Sequence, residues 1–169
     1  AVCEGIAKVT KMLLNLLDIK CIVAMGTAGG ELHSWNIVKI DNEAYQLDVT
    51  WDINLSSKDN FRYDYFNLSD KEMIVDHTPN IKYPACLSSR NNYFHKNKLV
   101  AKNILDIEKI IAVNKLHGKK YTTFKYIGND FEKTVKTAVS MASSVKAITG
   151  ISRVSYSINK EQKICTIKL

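Results

Sequence analysis

Apolar residues in the first turns of the chain recur at spacings of three and four. Ile6, Val9, Leu13, Leu16 and Leu17 lie to one side, with Lys8, Lys11 and Asn15 on the other. That period belongs to an amphipathic helix and predicts one over Glu4–Asp18. The pattern then changes. Cys21 to Met25 is a short apolar run that predicts a strand, and Gly26 to Gly30 (GTAGG) reads as a flexible connection. Leu32–Ile40 and Ala44–Trp51 predict two further strands, joined at Asp41-Asn42, a pair suited to a tight hairpin turn.

The turn fixes a register. With two residues in it, Ile40 faces Glu43, Val38 faces Tyr45, Trp35 faces Asp48 and His33 faces Thr50. Side chains alternate along a strand, so His33, Trp35 and Asp48 share one face, with His33 diagonal to Asp48. Leu32, Val38, Ile40, Tyr45, Leu47 and Val49 occupy the other, which is the expected core face. A slip of one residue would part the histidine from the aspartate.

Further on, Asn54–Asn60 is polar and loop-like, Phe61–Leu68 is rich in aromatics, and Ser69-Asp70 is placed to cap a short helical turn through Glu72 and Met73. Thr78–Pro84, with two prolines, reads as irregular. A polar stretch from Leu87 to Lys98 predicts a boundary, giving domains at 1–95 and 96–169. Ile104–Leu116 is an amphipathic helix stopped at Gly118, and Lys120–Ile127 alternates like a strand. Asn129 or Asp130 caps a helix from Phe131 to about Ala147, with Gly150 as its stop. Ile151–Ile158 and Lys163–Leu169 form a closing hairpin around Asn159–Gln162. The second domain thus reads β-α-β-β, and the chain as a whole α+β.

Composition narrows the function classes. The net charge is +7, but the lysines are spread along the chain and no basic run interleaves with aromatics, which favours a solvated surface over a nucleic-acid partner. No apolar run approaches the roughly 20 residues of a membrane span, so no transmembrane segment is expected. The four cysteines, Cys3, Cys21, Cys86 and Cys165, include no CxxC pair and suggest neither a disulfide framework nor a zinc ribbon. His77, Cys86 and His95 match no standard ligand spacing, and GTAGG lacks the Lys-Ser/Thr ending of a phosphate cradle. No metal and no cofactor are expected. The chain has no initiator Met and opens two residues before Cys3, as expected of a piece of something longer; a leader would lie upstream, and the compartment stays open.

The chemistry sits in the first third. Cys3 falls at a helix start, where unpaired N–H groups and the helix dipole favour a thiolate. Gly5, one turn in, would let another backbone or a substrate approach closely. Taken singly, each polar residue has an ordinary reading: a small buried cysteine, a satisfied histidine, a solvated aspartate. Taken together, Cys3, His33 and Asp48 supply a nucleophile, a base and an orienter, the thiol-protease type of arrangement.

The segments VCEG, HSWNIV and YQLDVTWD resemble the core of the transglutaminase-like superfamily, whose members carry a G-x-C-x-G helix start, an H-[AS]-W-N strand and a Y-x-x-D-x-T-W-D strand in this order. The likeness is close over Val2–Asp52 and loose through YDYFNLSD and Tyr83-Pro84-Ala85-Cys86, which look like the bacterial branch. After about Leu99 no motif ties to that core. The resemblance implies a papain-like fold, Cys3 as nucleophile, His33 as base and Asp48 as third member, with Gly5, Trp35, Asn36, Trp51 and Asp52 framing the site. It implies a protein or peptide amide as substrate, cross-linked or hydrolysed through an acyl-thioester. Some members have lost activity, so a catalytically silent binding or scaffold domain is the alternative. The glycine before Val2 and the family's upstream helices are absent. An upstream side chain usually completes the oxyanion hole in such sites, and losing one such donor typically costs about 10²–10³ in rate.

Overall fold

The computed structural model describes residues 2–147 and 154–169. The chain is mixed α+β and divides into two compact units, Ala1–Lys96 and Asn97–Leu169.

The first unit runs α1 (Val2–Leu16), β1 (Cys21–Ala28), β2 (Glu31–Ile40), β3 (Glu43–Leu47), α2 (Val49–Leu55), β4 (Phe66–Leu68), α3 (Asp70–Met73), β5 (His77–Pro79) and α4 (Tyr93–Lys96). Its five strands form an antiparallel sheet in the order β4-β3-β2-β1-β5. Two tight hairpins build its centre. Gly29-Gly30 joins β1 to β2 with both φ positive, and Asp41-Asn42 joins β2 to β3 at φ 49° and 66°. Left-handed pairs of this kind suit the twist of a two-residue hairpin, and glycine, Asn and Asp tolerate them best. The register follows from the turn: Ile40 pairs with Glu43 and Val38 with Tyr45.

Three expectations are corrected here. GTAGG is not a loose connection; Gly26, Thr27 and Ala28 belong to β1, and only the last two glycines turn. β3 ends at Leu47 instead of Trp51, and Val49–Leu55 is helical. The Asp48 carboxylate accepts the Trp51 N–H at 3.1 Å, an N-cap that overrides the strand preference of Val-Thr-Trp. Nor is there a single core face. Ala24, Trp35 and Ile37 pack with Tyr65, Leu68, Met73 and Cys86 on one side of the sheet. Cys21, Val38, Tyr45 and Leu47 pack with Leu14, Ile40 and Val49 on the other. Leu32, beside the Gly29-Gly30 turn at the open end of the hairpin, is 84% exposed.

The face α1 presents also differs. Ala7 is its buried residue, with Cys3, Thr10 and Leu14 part-buried in line with it. Val9, Leu13, Leu16 and Leu17 are exposed, and of the predicted stripe Ile6 alone is part-buried. Small side chains let the helix come close: Asn36 Nδ2 of β2 donates to the Ala7 carbonyl at 2.9 Å. Ser69 caps α3 as its sequence suggests, its N–H donating to Glu72 at 2.9 Å. The stretch read as irregular contains β5, which pairs with the end of β1. That pairing demands Gly26, since a Cβ there would stand 2.1 Å from the Thr78 carbonyl oxygen.

The second unit runs β6 (Val100–Ala101), α5 (Ile104–Leu116), β7 (Tyr121–Tyr126), α6 (Phe131–Ala147), β8 (Tyr156–Asn159) and β9 (Ile164–Lys168). Its sheet order is β6-β7-β9-β8, with β6 and β7 parallel across the α5 crossover. The first strand is too short to leave a pattern in the sequence, so the unit is β-α-β-α-β-β, with β6 added ahead of the predicted 104–116 helix and the β-α-β-β that follows it. Ile107, Phe124, Phe131, Val135, Ala138, Cys165 and Ile167 form its core. Asn103 caps α5, accepting from Asp106 N at 3.1 Å, and Gly118 follows its end at φ +67°. The proposed stop at Gly150 and the start of the closing hairpin at Ile151 lie outside the described residues. Among the described residues no helix is long and apolar enough to cross a membrane.

Candidate functional site

His33 and Asp48 meet. His33 Nε2 lies 2.7 Å from Asp48 Oδ2, with the aspartate fully buried and the histidine side chain nearly so. The hairpin register carries the pair to one end of the sheet, and the N-cap geometry then aims the carboxylate. Asp48 Oδ1 takes the Trp51 N–H, which leaves Oδ2 for the histidine. Burial pushes the Asp48 carboxyl up, but hydrogen bonds from His33 and His77, the His33 charge and the Trp51 N–H outweigh it and hold the group below the usual range.

A second histidine reaches the same oxygen. His77 Nε2 lies 3.1 Å from Asp48 Oδ2, and His77 Nδ1 lies 2.6 Å from Asp76 Oδ1. The other Asp76 oxygen accepts the Tyr65 hydroxyl at 2.7 Å. Carboxylates only accept, so hydrogen bonds to both call for a proton on each His77 nitrogen, the imidazolium form. Burial opposes that charge, yet the bonds to Asp48 and Asp76 prevail and raise the His77 pKa. Nothing in the sequence marks this residue beyond its place beside an aspartate. It stands 29 positions from Asp48, and only the β1–β5 pairing brings it in.

Aromatic rings enclose the cluster. Trp51 packs 4.6 Å and Trp35 5.2 Å from the His77 ring, and Trp35 stacks on His33 at 6.1 Å. Trp35 is held in turn: its Nε1 donates to Gln46 at 2.7 Å, and Gln46 Nε2 donates to Asp70 at 2.7 Å. Gln46, fully buried, is a framing residue that the sequence reading lacks. Asp52 supports the backbone through Tyr65 N–H at 2.9 Å, and burial pushes its carboxyl up to about 8. Asp48 is therefore the ionised acid of α2 at neutral pH. Gly5 is exposed, and the place of a Cβ there meets open space, so no described part of the chain uses it for close approach.

Cys3 sits part-buried in the first turn of α1. Leu14 packs by Val38 and Ala7 by Asn36, so the helix runs alongside β2 and its N-terminal turn heads toward the His33 end of the strand. Ala7 and Leu14 meet the strand on its Asn36 and Val38 side, from which His33 and Trp35 alternate. Among the described residues, neither Cys3 Sγ nor His33 Nδ1 has a hydrogen-bond partner. The base and its orienter are assembled, and the thiol is not engaged with them. The other cysteines are buried and not disulfide-bonded, and burial raises Cys21 and pushes Cys86 to about 12.

His33, Asp48 and His77 also have the composition of a two-histidine, one-carboxylate metal site, their candidate atoms lying within 4.8 Å of one another. Both nitrogens nonetheless point at one oxygen at hydrogen-bonding distance. A cation would have to replace both of those bonds. Cys86 and His95 do not join this group among the described residues. No protein-family model matches the chain, and no curated protein matches it.

Proposed function

We propose that the chain is a transglutaminase-like thiol enzyme with a papain-like core, acting on protein or peptide amides through Cys3, His33 and Asp48. The observation that carries this reading is the buried His33–Asp48 hydrogen bond of 2.7 Å, formed by two motifs that the superfamily uses for its base and orienter. Asp48 occupies Nε2, which leaves Nδ1 as the basic nitrogen. In the reaction, His33 Nδ1 takes the Cys3 proton, and Sγ attacks the amide carbonyl to give a tetrahedral adduct. As the C–N bond breaks, His33 returns the proton to the departing amine, leaving an acyl-thioester on Cys3. An incoming amine or water, losing its proton to His33, then takes the acyl group and releases the thiol.

A test is to incubate the protein with an activated peptide ester and weigh it intact. An acyl adduct mapped to Cys3, and missing in Cys3→Ala, is the expected result. An adduct spread over several cysteines, or none, would count against the reading. The unengaged thiol favours the second one, a scaffold in which the fold survives without turnover. In that case the wild type forms no adduct, and Cys3→Ala binds a partner as the wild type does.

A further inference from the structure

We propose that His77 is a positioning residue, a buried cation clamped between Asp76 and Asp48 that holds the Asp48 carboxylate in place for His33. The inference rests on the triad reading and adds to it a fourth residue that touches neither substrate nor thiol.

The geometry gives His77 little freedom. Its backbone pairs with Ala28 of β1, and the Asp76 carbonyl accepts the Gly29 N–H at 3.1 Å. Its ring is bonded at both nitrogens, 2.6 Å to Asp76 and 3.1 Å to Asp48, and is walled by Trp35, Trp51 and Tyr65. Asp48 Oδ2 thus meets two imidazole donors while Oδ1 takes the helix N–H. Three donors on two oxygens leave the carboxylate no rotation. With only His33 and Trp51 on it, one side of Oδ2 would be open.

The charges around the ring are few. Asp76 precedes it, Asp48 comes from the start of α2, and His33 from β2 stands 5.6 Å away between ring centroids. Tyr65 bonds to Asp76, and Asp52 of α2 is protonated below about 8. A fixed positive charge behind Asp48 competes with His33 for that carboxylate, so His33 protonates less readily while His77 is charged. This separates a clamp from mere packing. Replacing His77 by a neutral donor, or removing the anion that keeps its second proton, leaves Asp48 a partner but takes the charge away.

The test follows the His33 ring by ¹⁵N-resolved NMR and Cys3 alkylation by iodoacetamide, both against pH. In His77→Gln the His33 titration and the alkaline limb of the alkylation profile are expected to move upward by about one pH unit. Asp76→Asn is expected to move them alike, with no further shift in the double variant. His33 titrating as in the wild type in both variants would overturn the clamp even where Cys3 is reactive. A shifted His33 beside an inert Cys3 would uphold the clamp and remove the enzyme reading instead. Should the variants not fold, the wild type decides: both His77 nitrogens protonated from about pH 6 to about pH 8 supports the clamp, and a single neutral tautomer there overturns it. Stoichiometric zinc bound by the wild type and lost in His77→Gln would overturn it as well.

Discussion

The carboxylate of Asp48 is shared: one oxygen, Oδ2, stands 2.7 Å from His33 Nε2 and 3.1 Å from His77 Nε2. Asp48→Asn keeps the helix cap but loses the charge that both rings face. Breaking a buried pair in this way typically costs about 3 kcal/mol of stability. It also frees the His33 tautomer, a change that lowers turnover by about 10⁴ in comparable triads. Chemical denaturation reads the first and acyl-adduct formation the second. A variant as stable as the wild type would mean that Asp48 is not the anion both histidines answer to.

Gly26 is the hinge on which the second histidine depends. A methyl group there would meet the Thr78 oxygen at 2.1 Å and the Pro79 Cα at 2.8 Å, and both belong to backbone that cannot step aside alone. Gly26→Ala is expected to destabilise the first unit by about 1–3 kcal/mol and to push β5 off the end of β1. Hydrogen exchange at Thr27 and Thr78, which pair across the two strands, would report the separation. Unchanged protection would show that the strand edge is looser than drawn.

Asp52 should make stability fall as pH rises. Its carboxyl is protonated in the folded chain up to about 8, whereas an unfolded aspartate ionises near 4. Between those values the folded state holds the extra proton, so the slope of stability against pH is negative. Asp48 works in the opposite sense at lower pH: depressed in the fold, it stabilises above its unfolded value and loses that stabilisation as pH falls through the folded one. His77, raised in the fold, contributes fully below about 6.5 and loses its contribution above its folded value. Asp52→Asn keeps an oxygen for the Tyr65 N–H, so urea denaturation of variant and wild type at about pH 5 and about pH 9 isolates the term. The variant is expected to gain on the wild type at the higher pH. Parallel profiles would contradict it.

Arg62 and Asp64 form a buried bidentate pair, at 2.9 and 2.6 Å. Arg62→Met leaves the Asp64 charge without its guanidinium, and a loss of about 3–5 kcal/mol is expected on denaturation. A neutral outcome would contradict a stabilising role for the pair.

What could be read from the chain in advance was local. Asp41-Asn42 is a two-residue signal that sets the register of ten neighbours, and that register makes the His33–Asp48 pair legible in the sequence. The N-cap role of Asp48 was hidden because Val-Thr-Trp carries strong strand preference, and one side-chain bond to Trp51 N reverses it. The face of α1 is hidden for a different reason. Hydrophobicity points to Val9, Leu13 and Leu16, but close packing on β2 selects the small residues at Cys3, Ala7 and Thr10. His77 and Gln46 were illegible because their value lies in partners far along the chain. The first strand of the second unit, two residues long, carries no pattern to find.

The central claim is that Cys3 is activated by His33. Iodoacetamide labelling at about neutral pH, quantified at each cysteine, measures it directly. Cys3 is expected to react well ahead of Cys21, Cys86 and Cys165, with that lead lost in His33→Ala. Labelling of Cys3 at the same rate with and without the histidine would contradict it.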